Sequence, residues 1–210
     1  MMPKKLGPGN KGRSVIPVGT HVFTVGSSAL QQIAGRINAD FDRAARMIRI
    51  CSGKIIVIGM GKSGLVGRKI SATLSSTLTP STFMHPVEAY HGDFGMVGQS
   101  DLVLAISNSG STKELIRLLP PLKKMGVPVI ALCGNARSQL ARTADVYLDV
   151  SVPIEASLTG TVATTSALAA MCMGDALAIA VMELKHMTAT DLERVHPEGA
   201  LGKKLRSKDR

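Results

Sequence analysis

Five short apolar runs rich in β-branched residues recur along the chain: Lys54–Ile58, Ser81–Met84, Asp101–Ile106, Val127–Leu132 and Asp145–Val150. Continuous apolar character over this length suits strands buried on both faces of a parallel sheet, because a strand covered on one side only alternates apolar with polar residues. Between the runs lie stretches with helical character at 62–77, 112–125 and 136–143, each entered through small polar or Gly residues. Strands alternating with helices at this spacing predict an α/β domain, a five-stranded parallel sheet with helices on both faces. Ligands of such sheets bind beyond the carboxyl ends of the strands, so chemistry is expected in the loops after Ile58, Met84, Ile106 and Leu132.

Ahead of the first run, Leu30, Ile33, Ile37, Phe41, Ala45 and Ile48 recur at helical spacing, which predicts one long amphipathic helix from about Phe23 to Arg49. Residues 1–22 read as a mobile basic arm, 23–205 as a single domain and 206–210 as a basic tail. After the last run, Gly160–Met187 predicts a long helix of Ala, Thr, Ser and Met. Its segment Thr165–Leu184 has the length of a membrane span, but Asp175 sits at its centre and no aromatic belt flanks it. A helix packed deep in the fold, or against a partner subunit, is expected instead, with no membrane partner.

The formal charge is +10, from 25 Lys and Arg against 15 Asp and Glu. Residues 1–14 hold four basic residues and no acid, and 201–210 hold five against Asp209 alone. The 186 residues between are close to neutral, with 16 basic and 14 acidic groups. Two Tyr, four Phe and no Trp leave little for bases to stack on, so a nucleic-acid partner is not expected. Cys51, Cys133 and Cys172 are an odd number at spacings that match no zinc or redox motif, as expected of buried thiols in a reducing cytoplasm. The basic N-terminus runs into Gly, Pro and Ser rather than an apolar segment, so no signal peptide is expected. A hydrophobic fraction of 45% excludes a disordered chain.

After the first run, Gly59-Met-Gly61-Lys62-Ser63-Gly64 satisfies G-x-G-x-x-G between a strand and a helix. A dinucleotide site also needs an acid at the end of the second strand, and Ser81–His85 has none. A Walker A loop would need Gly at position 56, which is Ile56. What remains is a glycine turn that brings backbone N–H groups, Lys62 and Ser63 to one helix N-terminus, or a tight turn with a solvated lysine. After the third run, Ser107-Asn108-Ser109-Gly110-Ser111-Thr112 places four hydroxyls, an Asn and a Gly before a helix. One hydroxyl suffices for a helix cap, so the surplus points to a bound phosphoryl group. Glu114 on the following turn also fits a capping acid. His85-Pro-Val-Glu-Ala-Tyr-His91-Gly-Asp93 gathers two His and two acids, and the six-residue His spacing suits contacts to a substrate hydroxyl better than a helical zinc pair. Position alone gives no role to Glu155 or His196.

With these residues in view, the chain resembles the sugar isomerase (SIS) domain of the arabinose 5-phosphate isomerases, enzymes of the pathway to the Kdo sugar of lipopolysaccharide. The resemblance runs from about Gly53 to Leu205, through Gly59–Lys69, His85-Pro86, His91–Met96, Ser107–Gly110, Ala163–Ser166, Met173–Ala178, His196-Pro197 and Gly199–Gly202. It implies a three-layer α/β/α sandwich of flavodoxin-like order. Lys62, Glu114, Glu155 and His196 fall on the family's catalytically important positions. Substrate contacts are expected from Ser63, Thr79, His85, His91, Ser107, Asn108, Ser109 and Thr112, and His85 also falls on a position associated with inhibitory zinc; no cofactor is required.

The resemblance departs from the usual family member in two places. The chain stops within about ten residues of Gly199–Gly202 where a pair of CBS domains usually follows, so a short form without CBS regulation is expected. The loop Glu155-Ala-Ser-Leu-Thr-Gly160 keeps the family's Glu but lacks its Cys-Pro.

The reaction implied interconverts D-arabinose 5-phosphate and D-ribulose 5-phosphate through an enediol. It needs ring opening, proton transfer between C1 and C2, and stabilisation of a developing oxyanion. Glu155, its pKa raised by burial, is expected as the base with Glu114 as its rival, His196 as the ring-opening acid/base and Lys62 as the electrostatic stabiliser. Ser107, Ser109 and Thr112 are expected to hold the phosphate, in a dimer or tetramer with shared sites. The alternatives are an isomerase of another sugar phosphate, or a sugar-phosphate sensor without catalysis.

Overall fold

The structure is a computed structural model that describes residues 14–157, 159–199 and 204. The chain enters through two helices, α1 (Ile16–Ala34) and α2 (Ala39–Ile50). It then alternates: β1 (Ile55–Gly59), α3 (Gly61–Ser76), β2 (Ser81–Met84), α4 (Pro86–Ala89), β3 (Leu102–Ser107), α5 (Lys113–Ile116), α6 (Leu119–Lys124), β4 (Val129–Cys133), α7 (Gln139–Thr143) and β5 (Val146–Asp149). The long helix α8 (Thr165–Leu184) and the short α9 (Ala189–Arg194) close the described chain. All five apolar runs are strands, and they form one parallel sheet in the order β2-β1-β3-β4-β5. This is the flavodoxin-like order, with its switch point between β1 and β3.

Side-chain alternation divides the core into two. Ile55 and Val57 of β1, Leu104 of β3 and Ile130 of β4 pack with Ile48, Ile70, Leu74, Leu177 and Val181 from α2, α3 and α8. Ile56 and Ile58, Val103, Ala105 and Ala131 point the other way, onto Leu115, Leu118, Leu122 and Leu140 from α5 to α7. Strands buried on both faces explain why the runs lack a polar period. Helix α8 has the length and hydropathy of a membrane span. Here it lies against α3 so closely that a Cβ on Gly174 would come within 2.3 Å of Ile70. Asp175, the charge at its centre, pairs with Lys69 of α3.

Three expectations about the helices change. The single helix from Phe23 to Arg49 is two helices: the first stops at Gly35, and Asn38, in extended conformation, caps the second by accepting from Asp40 N–H at 2.9 Å. Arg36 in the break ties both helices to the end of β5, donating to the Ser151 carbonyl at 2.6 Å and pairing with Asp149 at 3.1 Å. Residues 16–22, read as part of a mobile arm, are the first turns of α1, whereas 1–13 and the tail 206–210 lie outside the described residues. Lastly, the final long helix starts at Thr165 rather than Gly160.

Candidate active site

The carboxyl ends of β1, β3 and β4 present Gly59, Ser107 and Cys133 side by side. Above β1, Gly61 takes a left-handed φ of +54°, and a Cβ on Gly59 or Gly64 would lie within 3 Å of the facing backbone. The G-x-G-x-x-G spacing thus serves a tight turn and a close strand–helix approach. It sets Lys62 and Ser63 on the first turn of α3, at the mouth of a cleft they share with Asn108, Ala163 and Ser166.

Above β3, Gly110 turns the chain at φ +64°. The buried Ser107 hydroxyl lies 2.9 Å from the Thr112 hydroxyl and accepts from Gly110 N–H at 3.1 Å. Ser109 and Ser111 form a second, exposed pair at 3.2 Å. Among the described residues, no side chain caps α5, so the hydroxyls are not serving as its cap. The next loop supports this one: Gly134 N–H donates to the Asn108 carbonyl at 2.9 Å, and a Cβ there would meet Asn108 Oδ1 at 2.4 Å.

Glu155 is tied to the cleft through Ser166. Its Oε2 accepts from Thr164 N–H at 2.8 Å, Thr164 Oγ1 at 3.0 Å and Ser166 N–H at 3.2 Å, and its Oε1 accepts from the Ser166 hydroxyl. The carboxylate therefore caps the N-terminus of α8 from nine residues upstream. Burial acts to raise its pKa, but the bonds from Ser166 and Thr164 outweigh burial and hold it below the ordinary glutamate value. The expected upward shift of a general base is reversed.

The remaining expected residues divide by place. His85 ends β2 and leads into α4, His91 is exposed just past α4, and Glu114 lies on α5. All three belong to the carboxyl edge of the sheet, on the β2 and β3 side, where the Tyr90 hydroxyl ties the end of α4 to the Glu114 carbonyl. Among the described residues the Glu114 carboxylate accepts no hydrogen bond. Thr79 is not in the site. It precedes β2 at the amino edge of the sheet, 2% exposed, and accepts from Lys185 Nζ at 2.9 Å.

His196 is also absent from the cleft of its own chain. It follows α9, with Nδ1 2.8 Å from the Leu192 carbonyl. No group of three or more His, Cys, Asp or Glu among the described residues is arranged to hold a metal ion. Sequence reasoning missed Ser166, which stood inside the quoted Ala163–Ser166 element without a role.

A parallel sheet of this order, with a lysine and a hydroxyl-rich loop flanking its switch point, defines a doubly wound α/β protein, a class whose ligands bind at that point. The SIS domain model matches residues 48–180, and the chain belongs to the SIS domain family. It is 49% identical over 177 residues to the arabinose 5-phosphate isomerase KdsD of Pseudomonas aeruginosa, covering 84% of this chain and 54% of that protein. Against the enzyme of the same name from Escherichia coli K12 the figures are 47% over 187 residues, 89% and 57%. The chain thus spans about half the length of the curated relatives it matches. The solved structure of E. coli CFT073 c3406 in complex with arabinose 5-phosphate superposes with a TM-score of 0.84 at 38% identity, covering 87% of this chain and 97% of that one.

Proposed function

We propose that the chain is an aldose–ketose isomerase that interconverts D-arabinose 5-phosphate and D-ribulose 5-phosphate. The observation that carries this reading is the cleft at the β1/β3 switch point, where Lys62 and Ser63 meet Asn108 of the loop after β3, in a chain 49% identical to an arabinose 5-phosphate isomerase. The hydroxyls of Ser107 and Thr112, 2.9 Å apart, and of Ser109 in the same loop are the candidates for the phosphate oxygens. Binding energy from the phosphate, remote from the reacting carbons, then orients C1 and C2. Lys62 is placed to stabilise the negative oxygen of the enediolate.

Proton transfer between C1 and C2 needs a carboxylate. Glu155 is held by four hydrogen bonds as the cap of α8, whereas the Glu114 carboxylate accepts none among the described residues, and we assign the role to Glu114, the rival. His196 does not line the cleft of its own chain, and its contribution from a second copy would fit a homo-oligomer with shared sites. Three unpaired cysteines fit a reducing compartment, and the relatives' name fits a place in Kdo synthesis.

The test is incubation with arabinose 5-phosphate in D2O, followed by NMR. Appearance of ribulose 5-phosphate, with deuterium at C2 of the recovered aldose, is expected. Turnover of hexulose or heptulose phosphates instead would reassign the substrate, and binding without turnover would make the chain a sensor.

A further inference from the structure

Two backbone N–H groups and one hydroxyl converge on Glu155 Oε2, which fixes the orientation of the carboxylate and leaves Oε1 for the Ser166 hydroxyl. Ser166 is 4% exposed, and what it exposes faces the cleft beside Lys62, Ser63 and Asn108. A hydroxyl carries one proton and two lone pairs. We propose that Glu155 is a positioning residue acting through Ser166: by accepting the hydrogen bond that the Ser166 hydroxyl donates, it leaves that oxygen to act as an acceptor for a hydroxyl of the sugar chain. The proposal rests on the isomerase reading and deepens it.

The same arrangement sets the orientation of the substrate. An acceptor repels phosphate and carbonyl oxygens, which are acceptors themselves, and accepts from a sugar O–H. Glu155 also occupies the N-terminus of α8, whose free N–H groups and positive dipole end would otherwise attract a phosphate. The anion is left to the 107–112 loop, and the α8 side of the cleft reads the hydroxylated carbons.

Glu155→Gln separates positioning from base catalysis. The two backbone N–H groups hold the amide oxygen at the Oε2 place, so the amide NH2 faces Ser166 and forces its hydroxyl to accept. Ser166 then turns its proton into the cleft and its polarity is inverted, with the fold retained. Steady-state kinetics with arabinose 5-phosphate should show KM raised about tenfold, the effect of one hydrogen bond, with kcat and C2 deuterium exchange lowered less than tenfold. Ser166→Ala, which keeps the backbone bonds to Glu155, should raise KM by a similar factor. The double variant should be no worse than the poorer single one, because the two residues act as a unit.

A loss of exchange of about 10²–10⁴-fold in Glu155→Gln at unchanged KM would make Glu155 the base and overturn the proposal. So would an unchanged KM in Ser166→Ala, or multiplying effects in the double variant. A wild-type protein without turnover would sink the isomerase reading alone. Calorimetric binding of arabinose 5-phosphate to the same variants then reads the positioning effect as a roughly tenfold weaker Kd, and equal Kd values would overturn it.

Discussion

Lys62 and Ser107 were legible as candidates because strand, glycine turn and helix follow one another within a few residues, so their neighbourhood is set locally. The direction of the Glu155 pKa shift was not legible because its partners, Thr164 and Ser166, lie nine and eleven residues on, and whether they approach depends on how the intervening loop folds. Asp101 is a comparable case on the opposite edge of the sheet. Buried at 5% exposure, it accepts from Lys54 N–H at 2.8 Å, Lys54 Nζ at 2.9 Å and Gly98 N–H at 2.8 Å. Burial acts to raise its pKa, but those bonds win and hold it below the ordinary aspartate value. Asp101→Ala leaves several donors unsatisfied and should cost about 2–3 kcal/mol in urea unfolding at pH 7. Both carboxylates have depressed folded pKa values, so their stabilisation is complete above the unfolded values of about 3.9 and 4.3 and is lost as pH falls through the folded ones. The stability gap between wild type and Asp101→Asn or Glu155→Gln should therefore narrow as pH is lowered from 5 towards 2, as followed by urea melts; a gap that widens would contradict the assigned hydrogen bonds.

Among the elements, strands were the most legible, since five apolar runs correspond to five strands within a residue or two. Helix ends were less so. Apolar spacing carries through Gly35 and Asn38 unbroken, yet the extended Asn38 starts a second helix, and the periodic pattern cannot register a cap. The stretch 112–125 is likewise two short helices, α5 and α6, the second opening at the prolines Pro120 and Pro121, which favour a helix start. The loop after β3 is the most constrained element of the site. Gly110 combines φ +64° with a Cβ position 2.1 Å from Ser138 Oγ and 2.6 Å from Cys133 Sγ. Gly110→Ala should lose about 3 kcal/mol or more in thermal unfolding, from left-handed strain and overpacking together, and should weaken sugar-phosphate binding in the same protein. An alanine variant of wild-type stability would mean that the loop has another conformation of similar energy.

For the whole molecule, the parallel sheet assigns every loop to one of two edges, and the candidate site is sorted by that division. Thr79 falls on the amino edge, against Lys185, while Lys62, Asn108 and the Ser107–Thr112 pair fall on the carboxyl edge. His196 does not line the cleft of its own chain. If a second copy supplies it, Lys62→Ala and His196→Ala proteins, each inactive alone, should recover about a quarter of wild-type activity after mixing, the share of intact sites for random pairing in a two-fold dimer. A mixture that stays inactive would place the whole site within one chain. The charge of +10 belongs chiefly to the two ends of the sequence, and the near-neutral interior leaves Lys62 as the cation that faces the cleft. The sequence by itself determined the α/β class, the five strands, the glycine turn and the hydroxyl loop, because each is written in apolar patterning or turn chemistry over a few neighbouring residues. Only the tertiary structure decided that Glu155 caps a helix with Ser166, that Thr79 lies on the amino edge and that His196 does not line the cleft of its own chain, because those outcomes rest on contacts between residues that only the closed fold brings together or holds apart.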